Sequence, residues 1–286
     1  MTIDSSLSGS FAATVDWLYA GLIHAAESAP SPDRNRDMER GLGGKLFYAG
    51  DLGGVGSALV VAANIAGAAT LTASAELATQ KQSIRDGVID FLVTSLDEAL
   101  RILKNELRKR ETVAVCVGKP AEEIEAEMAV RGVLPDLLPP GALDAPRYET
   151  FLLQGARQIE PVAAQKGETA VVWSVTGSQA HWLPRLDVVA GECLGCLQSR
   201  EAWAAQRWLR LAPRYLGRLA QGVRLLRCHD CAAQCFVERV REQIANREIA
   251  VPVEIRLSSN GDSRQYRFFP PQPPETARHL SLVNRR

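Results

Sequence analysis

The chain has 286 residues, room for one large or two modest domains at roughly 150 residues each, and enough to bury a sizeable core. Lysine plus arginine equals aspartate plus glutamate at 33 each, so no global field favours nucleic acid or an anionic membrane. No uninterrupted apolar run is long enough to cross a bilayer and the first residues are polar and acidic, so the expectation is a soluble cytoplasmic protein.

Residues 1–40 hold a Ser-rich leader, an amphipathic helix over residues 11–26 with Val15, Leu18 and Leu22 on one face, and SAPSPDRNRD, a linker by composition. From residue 41 the periodicity changes. KLFYAG reads as a short buried strand, and Val55–Ala66 is so uniformly apolar that it must be covered on several sides, as the first helix of a doubly wound sheet is. ATLTASA is a second strand, residues 76–85 a polar helix, VIDFLVTS a third strand, and residues 96–110 an amphipathic helix with Leu100, Leu103 and Leu107 inward. VAVCVG follows as a fourth strand. Residues 120–130 read as a helix with Pro120 at its start and three glutamates in its early turns, and VLPDLL as a fifth strand. Strands separated by helices of this length imply parallel pairing with right-handed crossovers.

LPPGALDAPRY marks a boundary, because its Pro and Gly continue neither element. Beyond it, residues 151–164 read as a helix, TAVVWSV as a sixth strand that extends the sheet, TGSQ as a turn and LDVVAGE as a seventh strand. Residues 197–246 read as helical, interrupted near Pro213 and Gly222, and VPVEIRLSSNGDSRQYRFFP as a hairpin about an Asn-Gly pair. The expected fold class is α/β: a Rossmann-like parallel sheet with flanking helices, then a C-terminal helical Cys-containing segment and β-hairpin. The matching divisions are a leader and helix over 1–40, a nucleotide-binding domain over 41–190, the Cys segment and hairpin over 191–270, and a tail over 271–286.

Gly50, Gly53, Gly54 and Gly56 lie between a strand and a helix, where missing side chains allow a sharp turn and let backbone amides approach a pyrophosphate at the helix N-terminus. Val55 and Ser57 open that helix. Reading Gly50, Gly53 and Gly56 gives steps of three and three, which departs from G-x-G-x-x-G, and Asp51 within the turn would repel a pyrophosphate unless it faces away. Glu76 follows Gly56 by twenty residues, where an acidic side chain meets the ribose hydroxyls of NAD.

GDLGGVGSALVVAANIAGA resembles the nucleotide-binding segment of urocanase (urocanate hydratase), with a Gly-rich loop and a small-residue helix before a strand ending in an acidic residue. SLDEAL and AVRGVLPDLL continue the similarity, the latter against the family's RGV-x-PD stretch, so that it spans roughly residues 41–140. The resemblance implies a tightly bound NAD⁺ that acts as an electrophile and not as a hydride carrier. Gly53, Gly54 and Gly56 would hold its diphosphate and Glu76 its adenosine ribose. The chain departs from the family in lacking its catalytic core and Gly-Pro-Asp-Cys stretch, and in having Ala73 or Ala75 where an additional acidic residue stands.

Five of six cysteines crowd between Cys193 and Cys235. Cys193-x2-Cys196 and Cys228-x2-Cys231 could each supply two vertices of a tetrahedral zinc site, or part of an iron–sulfur cluster, with Cys235 or His229 as an alternative ligand. Equally, Cys228, Cys231 and Cys235 fall at i, i+3 and i+7 of a helical pattern and read as small residues on a buried face. A redox pair is the third possibility. Ser178, Gln179 and His181 after the sixth strand could reach the carboxyl edge of the sheet, or form an ordinary turn. The Arg-rich face over residues 200–227 reads as a solvated helix surface.

The leading expectation is a urocanase-like NAD-binding protein, a lyase or hydratase acting on a small metabolite, with no catalytic residue identified. One alternative is a non-catalytic module whose zinc or iron–sulfur Cys cluster organises a partner interface. Another is an NAD-dependent oxidoreductase. Partners are then a nucleotide cofactor and a small molecule, without membrane or nucleic acid, and assembly as a homo-oligomer is left open.

Overall fold

The computed structural model describes residues 11–27, 41–160, 167–197, 199–259 and 262–271. The Ser-rich leader, the linker, Asn260 and Gly261 of the hairpin turn, and the tail beyond residue 271 lie outside the described residues.

The first body is a six-stranded, wholly parallel sheet in the order β3-β4-β2-β1-β5-β6. Its strands are β1 (Leu46–Asp51), β2 (Ala69–Ala73), β3 (Phe91–Val93), β4 (Val113–Val117), β5 (Leu137–Leu138) and β6 (Arg157–Gln158). The crossovers are α2 (Val55–Ala66), α3 (Leu77–Arg85), α4 (Leu96–Lys109) and α5 (Ala121–Arg131), and α6 (Glu149–Leu153) precedes β6. β2 and β4 are buried at every residue because helices cover both sheet faces, and their alternate side chains feed two cores. Phe47, Ala49, Ala114 and Cys116 face α2, whereas Leu46, Tyr48, Leu71 and Val115 face α4 and α5.

Strand β1 has β2 on one side and β5 on the other, so the chain reverses its direction of travel there. Such a switch point opens a crevice at the carboxyl ends of the strands. Helix α2 is buried on almost every side: α1 (Phe11–Glu27) lies on its outer face with Val15, Leu18, Tyr19 and Leu22 buried, and α8 (Arg200–Tyr215) sends the Arg207 guanidinium to the Ile65 carbonyl at 2.7 Å. Burying each aliphatic side chain of this layer contributes about 1.5–3 kcal/mol.

A second, antiparallel sheet follows in the order β10-β9-β7-β8, from β7 (Glu168–Val175), β8 (Val223–His229), β9 (Val253–Ser259) and β10 (Asp262–Phe268). Helices α7 (Gln179–Gly195) and α9 (Asp230–Ala245) pack against it, with the Trp173 and Phe236 rings 5.0 Å apart. Its core is continuous with the α1–α2 layer, and Arg227 on β8 binds the buried Asp16 of α1 at 2.7 Å.

Four expectations are corrected. TAVVWSV does not extend the parallel sheet, because β7 pairs with β8 and β9; its Thr169, Val171, Trp173 and Val175 are buried while their neighbours are half-exposed, the alternation of a one-sided sheet. LDVVAGE is no strand but part of α7, where Leu186, Val189, Ala190, Cys193 and Leu194 form an i, i+3, i+4, i+7, i+8 stripe. The helix expected over residues 151–164 ends at Leu153, where Gly155 at φ 102 breaks it and lets Arg157–Gln158 become the sixth parallel strand; residues 161–164 lie outside the described residues. The helical run expected over residues 197–246 is divided by β8. The C-terminal hairpin forms, with Asp262 opposite Ser259, and its first strand also pairs with β7.

Candidate functional site

At the end of β1 the ladder with β2 slips between Tyr48 and Asp51, and Gly50 takes φ 77. Two bonds hold the kink: the buried Thr72 hydroxyl donates to the Gly50 carbonyl at 2.8 Å, and the Leu52 amide donates to the Ala73 carbonyl at 2.8 Å. The chain then turns through Gly53 and Gly54 into α2, and the Ser57 hydroxyl donates back to the Leu52 carbonyl at 2.8 Å.

The glycines do different work. A Cβ on Gly56 would overlap the Asp51 carbonyl oxygen, so this glycine permits the close approach of helix to strand. Gly54 is the exposed N-cap at φ 56, a Cβ there would meet nothing within 4 Å, and no side chain caps the helix. The start of α2 is therefore exposed at Gly54 and Val55, a positive helix end suited to an anion, although the buried Gly56 amide donates to the Gly53 carbonyl at 2.9 Å. The preceding amide of the turn is engaged as well: Gly53 N–H donates to Asp51 Oδ2 at 2.8 Å.

This helix end forms one wall of a cleft of about 1160 Å³. Gly53, Gly54 and Ser57 line it with Thr79 of α3, and Gln179 of α7 with Arg218 lines the facing wall. Arg85 and Arg224 add positive charge against Asp86, and Arg224 is held by Asp187 at 2.9 Å. Glu76 is exposed at the N-cap of α3, three residues beyond β2, and its carboxylate accepts from the Thr79 hydroxyl at 2.5 Å. Gln179 thus reaches the cleft, but from the second body and not from the edge of the parallel sheet; Ser178 precedes it at φ 46. Asp136 of the PD pair acts at the opposite edge, where it accepts from the Leu46 amide at 2.8 Å and pairs with Lys45 at 2.9 Å.

On the other side of β1 lies a cluster that sequence reasoning missed. Glu125 is 3% exposed and accepts from the Tyr48 hydroxyl at 3.1 Å, with the Arg147 guanidinium 3.5 Å from its second oxygen. Burial pushes its carboxyl above the ordinary range, against the opposing pull of Arg147. The Tyr148 hydroxyl belongs to the same group, raised to about 12 by burial and then by Glu125, and it would lie 3.2 Å from a Cβ on Gly50. The missed signal is spacing: Ala121, Ile124, Glu125 and Met128 make one buried stripe, with a carboxylate at the i+4 position.

The cysteines do not converge as a metal centre. Among the described residues, no group of three or more His, Cys, Asp or Glu side chains is arranged to hold a metal ion. Cys228 lies on β8 rather than on a helix, and burial in apolar surroundings raises its thiol to about 12. Cys231 opens α9, its sulfur 3.1 Å from Nδ1 of His229. Cys193 meets Cys235 across α7 and α9, with Cys196 exposed at the end of α7. The zinc or iron–sulfur expectation is set aside because strand β8 and the two helices distribute the sulfurs to different surroundings. No helix among the described residues is long and apolar enough to cross a membrane.

Residues 21–140 match the family model of the urocanase Rossmann-like domain. The match runs from within α1 through β5, so it includes the glycine turn, Glu76 and the crossovers α2 to α5, and it stops before the second sheet.

Proposed function

We propose that this chain is a urocanase-like NAD-binding protein, with the dinucleotide held in the cleft between the glycine turn and the facing wall of α7. The observation that carries the proposal is the uncapped N-terminus of α2, aligned by a glycine whose Cβ would strike the strand, opening on a cleft with arginines on its walls. The Gly54 and Val55 amides and the Ser57 region would receive the diphosphate, and Glu76 with Thr79 the adenosine ribose. The match to a urocanase Rossmann-like domain supports NAD in particular.

When bound, NAD⁺ would supply an electron-poor nicotinamide ring. The protein's own contribution would be to orient the dinucleotide along the sheet edge and to exclude water with the second body. A lyase or hydratase activity on a small metabolite is the reaction class this proposal favours. Asp51 sets its main condition, since its carboxylate must leave the Gly53 amide before a phosphate oxygen can take that position. The same contact favours a second reading, a non-catalytic module whose anion position is filled by its own side chain.

One experiment separates them. Purified protein is denatured and the supernatant is examined by absorbance and mass for a nicotinamide dinucleotide, and nucleotide-free protein is melted with added NAD⁺. Released NAD, or a melting temperature that rises with NAD⁺ concentration, is expected. Neither signal would leave the non-catalytic module.

A further inference from the structure

Away from the cleft, α7 and α9 lie side by side with a pair of sulfurs between them. Cys193 is 3% exposed near the end of α7, Cys235 is half-buried on α9, and their Sγ atoms stand 2.7 Å apart, well inside ordinary van der Waals contact. The same two helices are clasped next to the pair by Glu192 and Arg239, at 2.9 Å. This exposed ion pair involves the immediate neighbour of Cys193 and the residue one turn beyond Cys235, so it is formed in the same helix register in which the sulfurs meet. A disulfide needs a bond of about 2.05 Å and suitably directed Cβ atoms, and bringing two contacting thiols to that length asks far less of the backbone than recruiting separated ones.

The other cysteines are placed differently. Cys228 is buried on β8 among Ala190, Leu194 and Phe236, Cys116 is buried in the parallel sheet, and Cys231 is engaged by His229. Cys196 is exposed and its thiol contacts the Glu192 carbonyl at 3.7 Å. Only one pair of sulfurs is thus in contact among the described residues, and one member of it, Cys235, is partly exposed.

We infer that Cys193 and Cys235 are a thiol modification site that closes to a reversible intrachain disulfide with a small-molecule disulfide as oxidant. The balance is that of two exchanges. The Cys235 thiolate attacks one sulfur of glutathione disulfide; the mixed bond forms, the glutathione S–S bond breaks, and one glutathione thiolate leaves and is protonated. Cys193 then gives up its proton and attacks the Cys235 sulfur, so that the protein disulfide forms and the second glutathione thiolate departs with that proton. Two protein thiols are oxidised and one glutathione disulfide is reduced to two thiols. Burial, the largest influence on Cys193, holds its thiol protonated, with the nearby Arg239 acting in the opposite sense, which makes the second exchange the slow one. The bond would tie α7, whose first turn lines the cleft, to α9 and close a loop of 42 residues.

The test uses the full chain equilibrated over a series of reduced-to-oxidised glutathione ratios, then alkylated, digested and analysed by mass. A peptide joining Cys193 to Cys235, lighter by two hydrogens, is expected, reversible with dithiothreitol and accompanied by a melting temperature higher by roughly 5 °C. The Cys235→Ser variant should lack it, while Cys196→Ser and Cys231→Ser retain it. The inference is overturned if folded wild type shows no such peptide under oxidised glutathione, keeps a lasting glutathione adduct on Cys235, joins Cys193 to Cys196 instead, or loses the link in Cys196→Ser. The wild-type peptide decides the matter even if Cys235→Ser does not fold.

Discussion

The Asp51 carboxylate accepts a hydrogen bond from the Gly53 amide at 2.8 Å, two residues along the same turn. A side-chain anion therefore occupies the position to which a helix N-terminus would otherwise draw a phosphate, and it does so at an exposed site where little holds it. Replacing Asp51 by Asn removes the like charge while keeping an acceptor. NAD⁺ affinity, measured by titration calorimetry, is expected to rise about 5-fold, the size of a screened surface charge interaction. Unchanged or weaker binding would count against diphosphate binding at this turn.

Gly56 and Gly54 should separate packing from exposure. Gly56→Ala drives a methyl group into the Asp51 carbonyl oxygen and is expected to cost at least ~3 kcal/mol in urea unfolding. Gly54→Ala meets open space and suffers only from its φ of 56, so about 1 kcal/mol is expected. Equal costs at the two positions would contradict the close helix–strand contact.

Glu76 carries the ribose assignment. Glu76→Ala is expected to leave the fold intact, since the residue is exposed, and to weaken NAD⁺ binding roughly 10-fold with a smaller effect on NADP⁺, whose 2′-phosphate an acidic side chain repels. Equal losses for the two nucleotides would sink the assignment.

Glu125 predicts a pH dependence with a definite sign. Burial raises its carboxyl in the folded state, so its contribution to stability is fully present below the unfolded value of about 4.3 and is lost as pH rises through the higher folded value. Glu125→Gln keeps the volume and an acceptor for Tyr48 without that titration. Urea midpoints from about pH 4 to about pH 8 should decline less in the variant than in wild type. Asp16 and Asp187 are raised by burial in both proteins and cancel in the difference. Parallel curves would show that burial leaves the Glu125 carboxyl unshifted between the folded and unfolded states.

The order of strand, glycine turn, apolar helix and strand was legible because each element declares itself locally: Val55–Ala66 is apolar on every side, and the glycines interrupt the period where the chain must turn. The sequence by itself therefore determined a parallel Rossmann-like body and the place of its ligand turn. Tertiary structure alone decided the partners of each element. TAVVWSV is equally apolar as a parallel or an antiparallel strand, and only its pairing with β8 and β9 built a second sheet. Asp51 could face either way until the turn folded, and five crowded cysteines became one sulfur pair and separate thiols once β8 parted Cys228 from the helices. Periodicity is a property of neighbours in the chain. Contacts such as Cys193 with Cys235, or Glu125 with Tyr48 and Arg147, join residues far apart in it, and no local pattern encodes them.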